Sequence, residues 1–395
     1  MRAWIFLGLL TSGWAAASPL GEWLEKAPAE RGPLPSVVLT QGQAETFRDR
    51  LAGEILAEIK QQRAAEVEAK SITLGDKALK WLEKDFNLAP EGERSLWISM
   101  HGGGGAPAAV NDQQWQNQIR LYQPEEGIYV APRAPTNTWN LWHEGHIDPL
   151  LDRLIADMVA VRGVHPDKVY LMGYSAGGDG VWQLAPRMAD RFAAAAMMAG
   201  HPNDASLLPL RNLPFGVFVG SEDAAYDRNT IDARKGEELA ALHQADPQGY
   251  ENLVRVYEGL PHWMDGKDKE AVPWMAKYVR KSWPKKIVWV QDDITHDRFY
   301  WLEIPAGAAK AGQQIVATVE GNQIKLDGDV PDTIALHLAD SLVDLDQPVR
   351  VEINGKEIFS GKVDRSAAAI FEGLSKLPDA SRCGYAILRV RQIGG

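Results

Sequence analysis

Short, continuous apolar runs alternate with longer amphipathic segments between residues 90 and 284. A strand that is covered by helices on both faces of a parallel sheet is apolar at successive positions, so the short runs predict buried strands. They lie at 96–100, 127–131, 168–172, 193–199, 215–219 and 253–257. The amphipathic segments predict helices at 149–162, 177–189, 229–244 and 271–282. This alternation predicts an α/β domain with a doubly wound, mostly parallel sheet.

The chain before residue 90 has a different pattern. Residues 18–42 are rich in Pro and Gly and predict an irregular lead-in. Residues 44–69 predict an amphipathic helix, because apolar residues recur there every four positions among charges, at Phe47, Leu51, Ile55 and Ile59. Residues 71–86 fit either a hairpin of edge strands or a short helix, and periodicity does not decide between them. We take 18–89 together as the N-terminal lead-in and helix.

Beyond Pro284 the pattern changes to strands of alternating polarity separated by turn residues. The Asn354-Gly355 pair between two such runs predicts a hairpin, since both central residues of its turn need positive φ. Residues 285–395 therefore predict a small, all-β, sandwich-like domain. Its task is either structural support or contact with a polysaccharide, and the aromatic residues Trp289, Tyr300 and Trp301 suit both.

Composition restricts the function classes. The 395 residues are 45% hydrophobic, enough for two domains and a large core. The formal net charge of -11, with no run of Lys or Arg, disfavours a nucleic-acid partner. Cys383 is the only cysteine, which excludes an intramolecular disulfide and a cysteine-based zinc site.

The first 17 residues resemble a secretory signal peptide. Arg2 precedes an apolar stretch that ends in small residues at 15–17. The alternative is a transmembrane anchor, but the apolar run at 3–10 is much shorter than the roughly 20 residues that a bilayer requires. We expect a secreted or periplasmic protein, with no integral membrane segment.

Residues 173–177 read Gly-Tyr-Ser-Ala-Gly and match the G-x-S-x-G pattern. The pattern lies between a predicted strand and a predicted helix, where a tight turn exposes the serine and side chains at the two glycine positions would collide with backbone. Ser175 is therefore a candidate nucleophile. The alternative is a purely structural glycine-rich turn.

A serine hydroxyl needs a general base, and the base needs an acid that orients it. In this topology the acid and then the histidine follow later strands. Asp223 and His262 satisfy that order, and Asp227 is the alternative acid. The other histidines considered as the base fit less well by position, namely His165, His201, His243 and His296.

The segment His101-Gly-Gly-Gly-Gly105 follows the predicted strand at 96–100. Backbone N–H groups of such a loop stabilise the oxyanion of a tetrahedral intermediate. Gly103, Gly104 and Ala176 are the predicted donors. The rival interpretation is a phosphate-binding loop, but the segment lacks both the Lys-Ser/Thr ending and the G-x-G-x-x-G spacing.

Side chains next to these motifs are candidates for lining the substrate site: His101, Tyr174, Trp139, Trp142, His201 and Trp263. The loop at 136–149 also contains His143, Glu144 and His146, a set that could bind a metal. We interpret this loop as an aromatic rim of the pocket and predict neither a metal nor a cofactor.

The serine motif and the glycine loop resemble those of the α/β-hydrolase superfamily, over about residues 90–284. Within it the chain is similar to secreted esterases of the polyhydroxybutyrate depolymerase and feruloyl esterase type, with prolyl-oligopeptidase catalytic domains as more distant relatives. It lacks the disulfide-forming cysteines of some such esterases and the long propeller of prolyl oligopeptidases.

The expected activity is cleavage of a small-molecule or polymeric carboxylic ester through an acyl-enzyme, without a cofactor. Two alternatives remain open. One is peptide hydrolysis by the same route, and the other is a non-catalytic scaffold of the same fold that binds a glycan or a protein.

Overall fold

The computed structural model describes residues 18–87 and 89–392. The predicted signal peptide lies outside these residues. The eight helices described are α1 (Pro19–Glu25), α2 (Gln41–Ala69), α3 (Ala108–Gln118), α4 (Ile147–Arg162), α5 (Ala176–Arg187), α6 (Arg228–Ala245), α7 (Ala271–Met275) and α8 (Ala367–Lys376). Within the described residues, no helix is both long and apolar enough to cross a bilayer.

The first sheet has eight strands in the order β1-β2-β4-β3-β5-β6-β7-β8. Its strands are β1 (Ser71–Leu74), β2 (Lys77–Phe86), β3 (Arg94–Met100), β4 (Gly127–Arg133), β5 (Val164–Tyr174), β6 (Ala194–Met198), β7 (Phe215–Gly220) and β8 (Asn252–Tyr257). The pairs from β4 to β8 are parallel, whereas β1–β2 and β2–β4 are antiparallel. This order, with helices between the parallel strands, is the α/β-hydrolase fold, and the predicted fold class is confirmed.

The N-terminal segment contributes to this sheet. Residues 71–86 form the hairpin β1–β2, which adds two strands beside β4, so the short-helix alternative is wrong. The lead-in is also not wholly irregular. Ser18 caps α1 by accepting a hydrogen bond from the Gly21 N–H at 3.1 Å.

The predicted helix at 271–282 is wrong in its second half, because α7 ends at Met275. The following segment is held by tertiary contacts instead. The Arg280 N–H donates to the Asp167 carbonyl, and its guanidinium lies 2.6 Å from the carboxylates of both Asp167 and Asp379. These contacts take Arg280 into the interior, where it is only 7% exposed.

The C-terminal part contains two further sheets, as the predicted β domain requires, but it is not all-β because it also includes the ten-residue helix α8. A four-stranded sheet has the order β10-β11-β14-β17, and a five-stranded sheet has the order β16-β15-β13-β12-β9. Their strands are β9 (Lys286–Val290), β10 (Arg298–Phe299), β11 (Leu302–Glu303), β12 (Gln314–Glu320), β13 (Gln323–Gly328), β14 (Thr333–Leu338), β15 (Val349–Ile353), β16 (Lys356–Gly361) and β17 (Ala386–Arg391). Asn354 and Gly355 both have positive φ in the turn between β15 and β16, as expected.

One hydrophobic core extends through both parts of the chain. Trp289, Tyr300 and Trp301 belong to it, and none of the three is more than 3% exposed. They therefore support the fold and offer no surface on which a glycan could stack, so the interpretation of these rings as a polysaccharide platform is wrong.

Charged groups also cross between the two parts. Asp190, which follows α5, is 1% exposed and forms ion pairs with Arg191 and with Arg382 from the C-terminal part. It also accepts a hydrogen bond from the Tyr300 N–H at 3.1 Å. These cations hold the pKa of Asp190 well below its usual range despite its burial.

Candidate active site

The serine motif forms a sharp turn between β5 and α5. Ser175 has φ 56° and ψ -121°, a backbone conformation that is rare for a residue with a side chain. A Cβ atom at Gly177 would lie 2.1 Å from the Met100 carbonyl oxygen, and one at Gly173 would lie 2.2 Å from the Gly177 carbonyl oxygen. Both glycines are therefore required for the close approach of backbone that presents Ser175 at the end of the strand.

Three residues from distant parts of the chain meet at this turn. His262 Nε2 lies 3.0 Å from Ser175 Oγ, and His262 Nδ1 lies 2.7 Å from Asp223 Oδ2. Asp223 is 2% exposed, whereas the alternative acid Asp227 is exposed in a neighbouring turn. The arrangement is that of a nucleophile, a base and an orienting acid.

The loops that carry the acid and the base are tied to each other. The Glu222 N–H donates to the Leu260 carbonyl at 3.0 Å, and the Asn229 N–H at the start of α6 donates to the Asp223 carbonyl at 3.0 Å. Tyr174 stabilises the histidine loop, because its hydroxyl donates to the His262 carbonyl at 2.6 Å and accepts from the Met264 N–H at 3.2 Å.

The glycine loop approaches the serine from the end of β3. A Cβ atom on Gly102 would lie 3.1 Å from Ser175 Cβ, so the loop passes directly beside the nucleophile. Gly103 and Gly104 have backbone φ angles of 109° and 78°, which residues other than glycine rarely adopt. The loop thus brings its amides close to the position where an oxyanion would form.

Gly104 is not free to act as an oxyanion donor, contrary to the prediction. Its N–H donates to Asn111 Oδ1 at 2.9 Å. The Gly103 N–H has no acceptor among the described residues, and Ala176 is the first residue of α5, where helix N–H groups lack intrahelical partners. Of the three predicted donors, Gly103 and Ala176 are therefore the two whose amides are not occupied.

Sequence reasoning missed Asn111. This residue of α3 is fully buried, and its Nδ2 donates to the Ala106 carbonyl at 3.2 Å and to Asn137 Oδ1 at 2.9 Å. It therefore holds the glycine loop at Gly104 and Ala106 and ties it to Asn137 in the loop after β4. An asparagine in a polar helix gives no motif, so the only signal in the sequence is its position seven residues after Gly104.

His101 and Trp142 are fully buried, so they do not line the substrate site as predicted. The Trp142 indole N–H donates to the His101 carbonyl at 2.8 Å. His101 Nε2 accepts from the Ala134 N–H at 3.2 Å, and its Nδ1 lies 2.6 Å from the Gly102 carbonyl, which fixes a neutral ring with the proton on Nδ1. Burial lowers the pKa of His101 to about 4, in agreement with that neutral form.

The other predicted pocket residues differ in their placement. Trp139 is 64% exposed beside the glycine loop, and Trp263, next to the base, is 48% exposed. Their rings remain available to a substrate. The His201 ring turns toward its own loop, where Nδ1 accepts from the Asn203 N–H at 3.0 Å.

The remaining histidines do not reach the serine. His243 contacts the Gly249 carbonyl, and His296 lies 2.8 Å from Asp148. In the loop considered for a metal, His146 lies 3.4 Å from Glu144, and burial lowers the pKa of His143 to about 4. Within residues 18–87 and 89–392, no three His, Cys, Asp or Glu side chains are grouped as metal ligands would be.

No protein-family model and no curated protein sequence matches the chain. Parts of the chain are similar to solved structures. A thermostable esterase shares 17% identity at a TM-score of 0.40, over 53% of this chain and 62% of its own. A feruloyl esterase module from Clostridium thermocellum, complexed with sinapinate, shares 18% identity at a TM-score of 0.37, over 52% of this chain and 85% of its own. A protein from Bacteroides ovatus named as a dipeptidyl aminopeptidase IV shares 13% identity at a TM-score of 0.37, over 53% of this chain and 34% of its own. Similarities at this level carry no information about the substrate.

Proposed function

We propose that the protein is a serine hydrolase that cleaves carboxylic esters through an acyl-enzyme intermediate. The observation that carries this proposal is the position of His262, whose two ring nitrogens lie within hydrogen-bonding distance of Ser175 and of the buried Asp223. A serine hydroxyl with such a partner can lose its proton as it attacks a carbonyl carbon.

In the first half of the proposed reaction, Ser175 Oγ attacks the ester carbonyl and its proton passes to His262 Nε2. The N–H groups of Gly103 and Ala176 stabilise the negative oxygen of the tetrahedral intermediate. When the intermediate collapses, the bond to the alcohol oxygen breaks and His262 returns the proton to that oxygen. The acyl group remains on Ser175.

In the second half, a water molecule loses a proton to His262 and attacks the acyl carbonyl. Collapse of this second intermediate releases the carboxylic acid, and the proton returns to Ser175 Oγ. Asp223 orients the imidazole and stabilises its cationic form in both halves, because its carboxylate lies 2.7 Å from Nδ1. In both halves, the proposed steps use only these side chains and amides, the ester and one water molecule.

Labelling with a fluorophosphonate tests the nucleophile without knowledge of the substrate. We expect the reagent to modify Ser175 in the wild type and to leave Ser175→Ala unmodified, as shown by mass spectrometry of the peptide around 168–182. Ser360→Ala is the matched control, since Ser360 is exposed in β16 and lies in the C-terminal part. A wild type that is folded but resists labelling would contradict the proposal.

A substrate panel tests the bond that is cleaved. Short acyl esters, feruloyl esters, polyesters and peptidyl amides should be compared with wild type and Ser175→Ala. We expect turnover of esters by the wild type alone. Faster cleavage of the amides would assign a peptidase, and turnover that persists in Ser175→Ala would refute the mechanism.

The proposal includes export from the cytoplasm with removal of residues 1–17. Protein recovered from a bacterial periplasm or medium should then begin near Ser18 when its N-terminus is sequenced. A full-length N-terminus in the exported fraction would contradict this part of the proposal without affecting the chemistry.

A further inference from the structure

A second buried carboxyl group lies on α6, the helix that follows the loop of Asp223 in the triad of Ser175, His262 and Asp223. Asp232, on the second turn of α6, is fully buried, and neither of its carboxyl oxygens has a hydrogen-bond partner among the described residues. An ionised carboxylate without partners is costly to bury, so such a group stays protonated to a higher pH. Burial raises the pKa of Asp232 to about 8.

The position of α6 places this carboxyl behind the triad. The helix begins at Arg228, and its second residue, Asn229, donates to the Asp223 carbonyl at 3.0 Å. The charged groups that act on Asp232 come from each element around it: Arg228 from α6, Asp179 from α5 and Asp223 from the acid loop. Asp232 is thus within electrostatic reach of the residue that orients His262.

The same region contains other polar atoms that need a partner. Asp223 uses Oδ2 to hold His262, whereas its Oδ1 is buried without a hydrogen bond in the described chain. Arg228 Nε is a buried donor in the same condition. The indole N–H of Trp182, on α5, is a donor that favours the ionised form of Asp232, but burial outweighs it. Unsatisfied donors and acceptors gathered in one interior region are typical of a site that holds an internal water.

We propose that Asp232 is a positioning residue of the triad, whose protonated carboxyl supplies a hydrogen-bond donor to the buried region around Asp223 Oδ1 through an internal water. The inference rests on the serine hydrolase function proposed above. Its physical content is that Asp223 holds His262, while Asp232 remains neutral and keeps the Asp223 side chain in place.

Ionisation of Asp232 would remove that donor and place a second negative charge near Asp223, in a region that Asp179 already makes acidic. Repulsion between like charges in a poorly solvated interior is strong, and it would move Asp223 away from its hydrogen bond with His262. The Arg228 cation, whose nearest Nη lies 3.9 Å from Asp179, favours this ionisation, but burial of Asp232 outweighs it. The reactivity of Ser175 should therefore fall at alkaline pH.

The rate at which a fluorophosphonate labels Ser175, measured from pH 5 to pH 10, tests the inference. We expect the wild-type rate to fall severalfold above about pH 8. Asp232→Asn keeps a hydrogen-bond donor but cannot ionise, so it should label up to about fivefold more slowly at pH 7 and show no alkaline fall.

Asp157→Asn is the matched control. Asp157 is also a fully buried aspartate with a raised pKa, but it lies on α4 and pairs with Arg63 of α2 at 3.3 Å. Asp157→Asn should keep the fall in labelling rate that the wild type shows at alkaline pH. An alkaline fall that is lost equally in both variants would show a general effect of buried carboxyls and would overturn the role of Asp232.

A second variant keeps the inference testable if Asp232→Asn does not fold. Removal of the Arg228 cation in Arg228→Met raises the pKa of Asp232, so the alkaline fall should move up by about half a pH unit or more. An unmoved fall in Arg228→Met, a fall that persists in Asp232→Asn, or no fall in the wild type would each overturn the inference. If wild-type Ser175 is not labelled at any pH, the proposed function itself is refuted.

Discussion

Replacement of Asn111 by leucine should damage catalysis far more than binding. Leucine has the same branched shape as asparagine but no polar atoms, so Asn111→Leu removes the acceptor of the Gly104 N–H and the donors to Ala106 and Asn137 together. The Gly104 N–H and the Ala106 carbonyl then lack their partner. Residues 103–105 are all glycines with positive φ and have no side chains that could hold the loop in its present shape.

The magnitude follows from the loss of one oxyanion donor. A relaxed loop no longer directs the Gly103 N–H at the developing negative charge, and such a donor contributes about 2.7–4 kcal/mol to the transition state. We expect kcat to fall by about 10²–10³ and KM to change by less than about threefold, since the donor acts mainly in the transition state. The lost hydrogen bonds should also lower the free energy of unfolding by about 1–3 kcal/mol.

Steady-state kinetics on the best ester of the panel, together with urea unfolding, measure both effects. Gln113→Leu is the matched control, because Gln113 is an exposed amide on the same helix. Its kcat should stay within about twofold of the wild-type value. A folded Asn111→Leu protein whose kcat falls by less than about threefold would refute the role assigned to this side chain.

Three further predictions concern the triad, the serine turn and the histidine under the glycine loop. Asp223→Asn should lower kcat by about 10⁴, whereas Asp227→Asn should leave it nearly unchanged; equal losses in both would contradict the choice of acid. Gly177→Ala places a Cβ atom 2.1 Å from the Met100 carbonyl oxygen, so calorimetry should show a loss of more than about 3 kcal/mol, and a wild-type melting temperature would contradict the required close approach. The pKa of His101 is lowered to about 4, below its unfolded value, so its contribution to stability is complete above about pH 6.5 and is lost toward pH 4. Urea unfolding at pH 7 and pH 4 should show about 3 kcal/mol more loss in the wild type than in His101→Gln, and equal losses would contradict a buried neutral ring.

The elements with the strongest sequence patterns were predictable. The apolar runs that became β3, β6 and β7 are buried on both faces of the sheet, whereas the run at 253–257 became the partly exposed edge strand β8. The serine turn needs glycines for reasons of space that a pattern can record. Chain order was enough to propose Asp223 and His262, because parallel strands end at one edge of the sheet.

Features that depend on tertiary contacts were not predictable. The sequence does not show which of the Gly103 and Gly104 amides is already hydrogen-bonded. That depends on where Asn111 lies in the folded protein, and its Oδ1 accepts from the Gly104 N–H. The sequence also does not decide which aromatic residues of a loop are exposed to solvent. Trp142 and Trp139 are three residues apart in one loop, yet one is fully buried and the other is 64% exposed.

The ion pairs of Asp190 and Arg280 have a practical consequence for anyone who wishes to produce the α/β portion by itself. A truncation at residue 284 deletes Arg382 and Asp379, and it leaves Asp190 without one of its two cations. It also opens the shared hydrophobic interior to water. Such a fragment should aggregate on expression, so mutants for kinetic work are best made in the intact polypeptide.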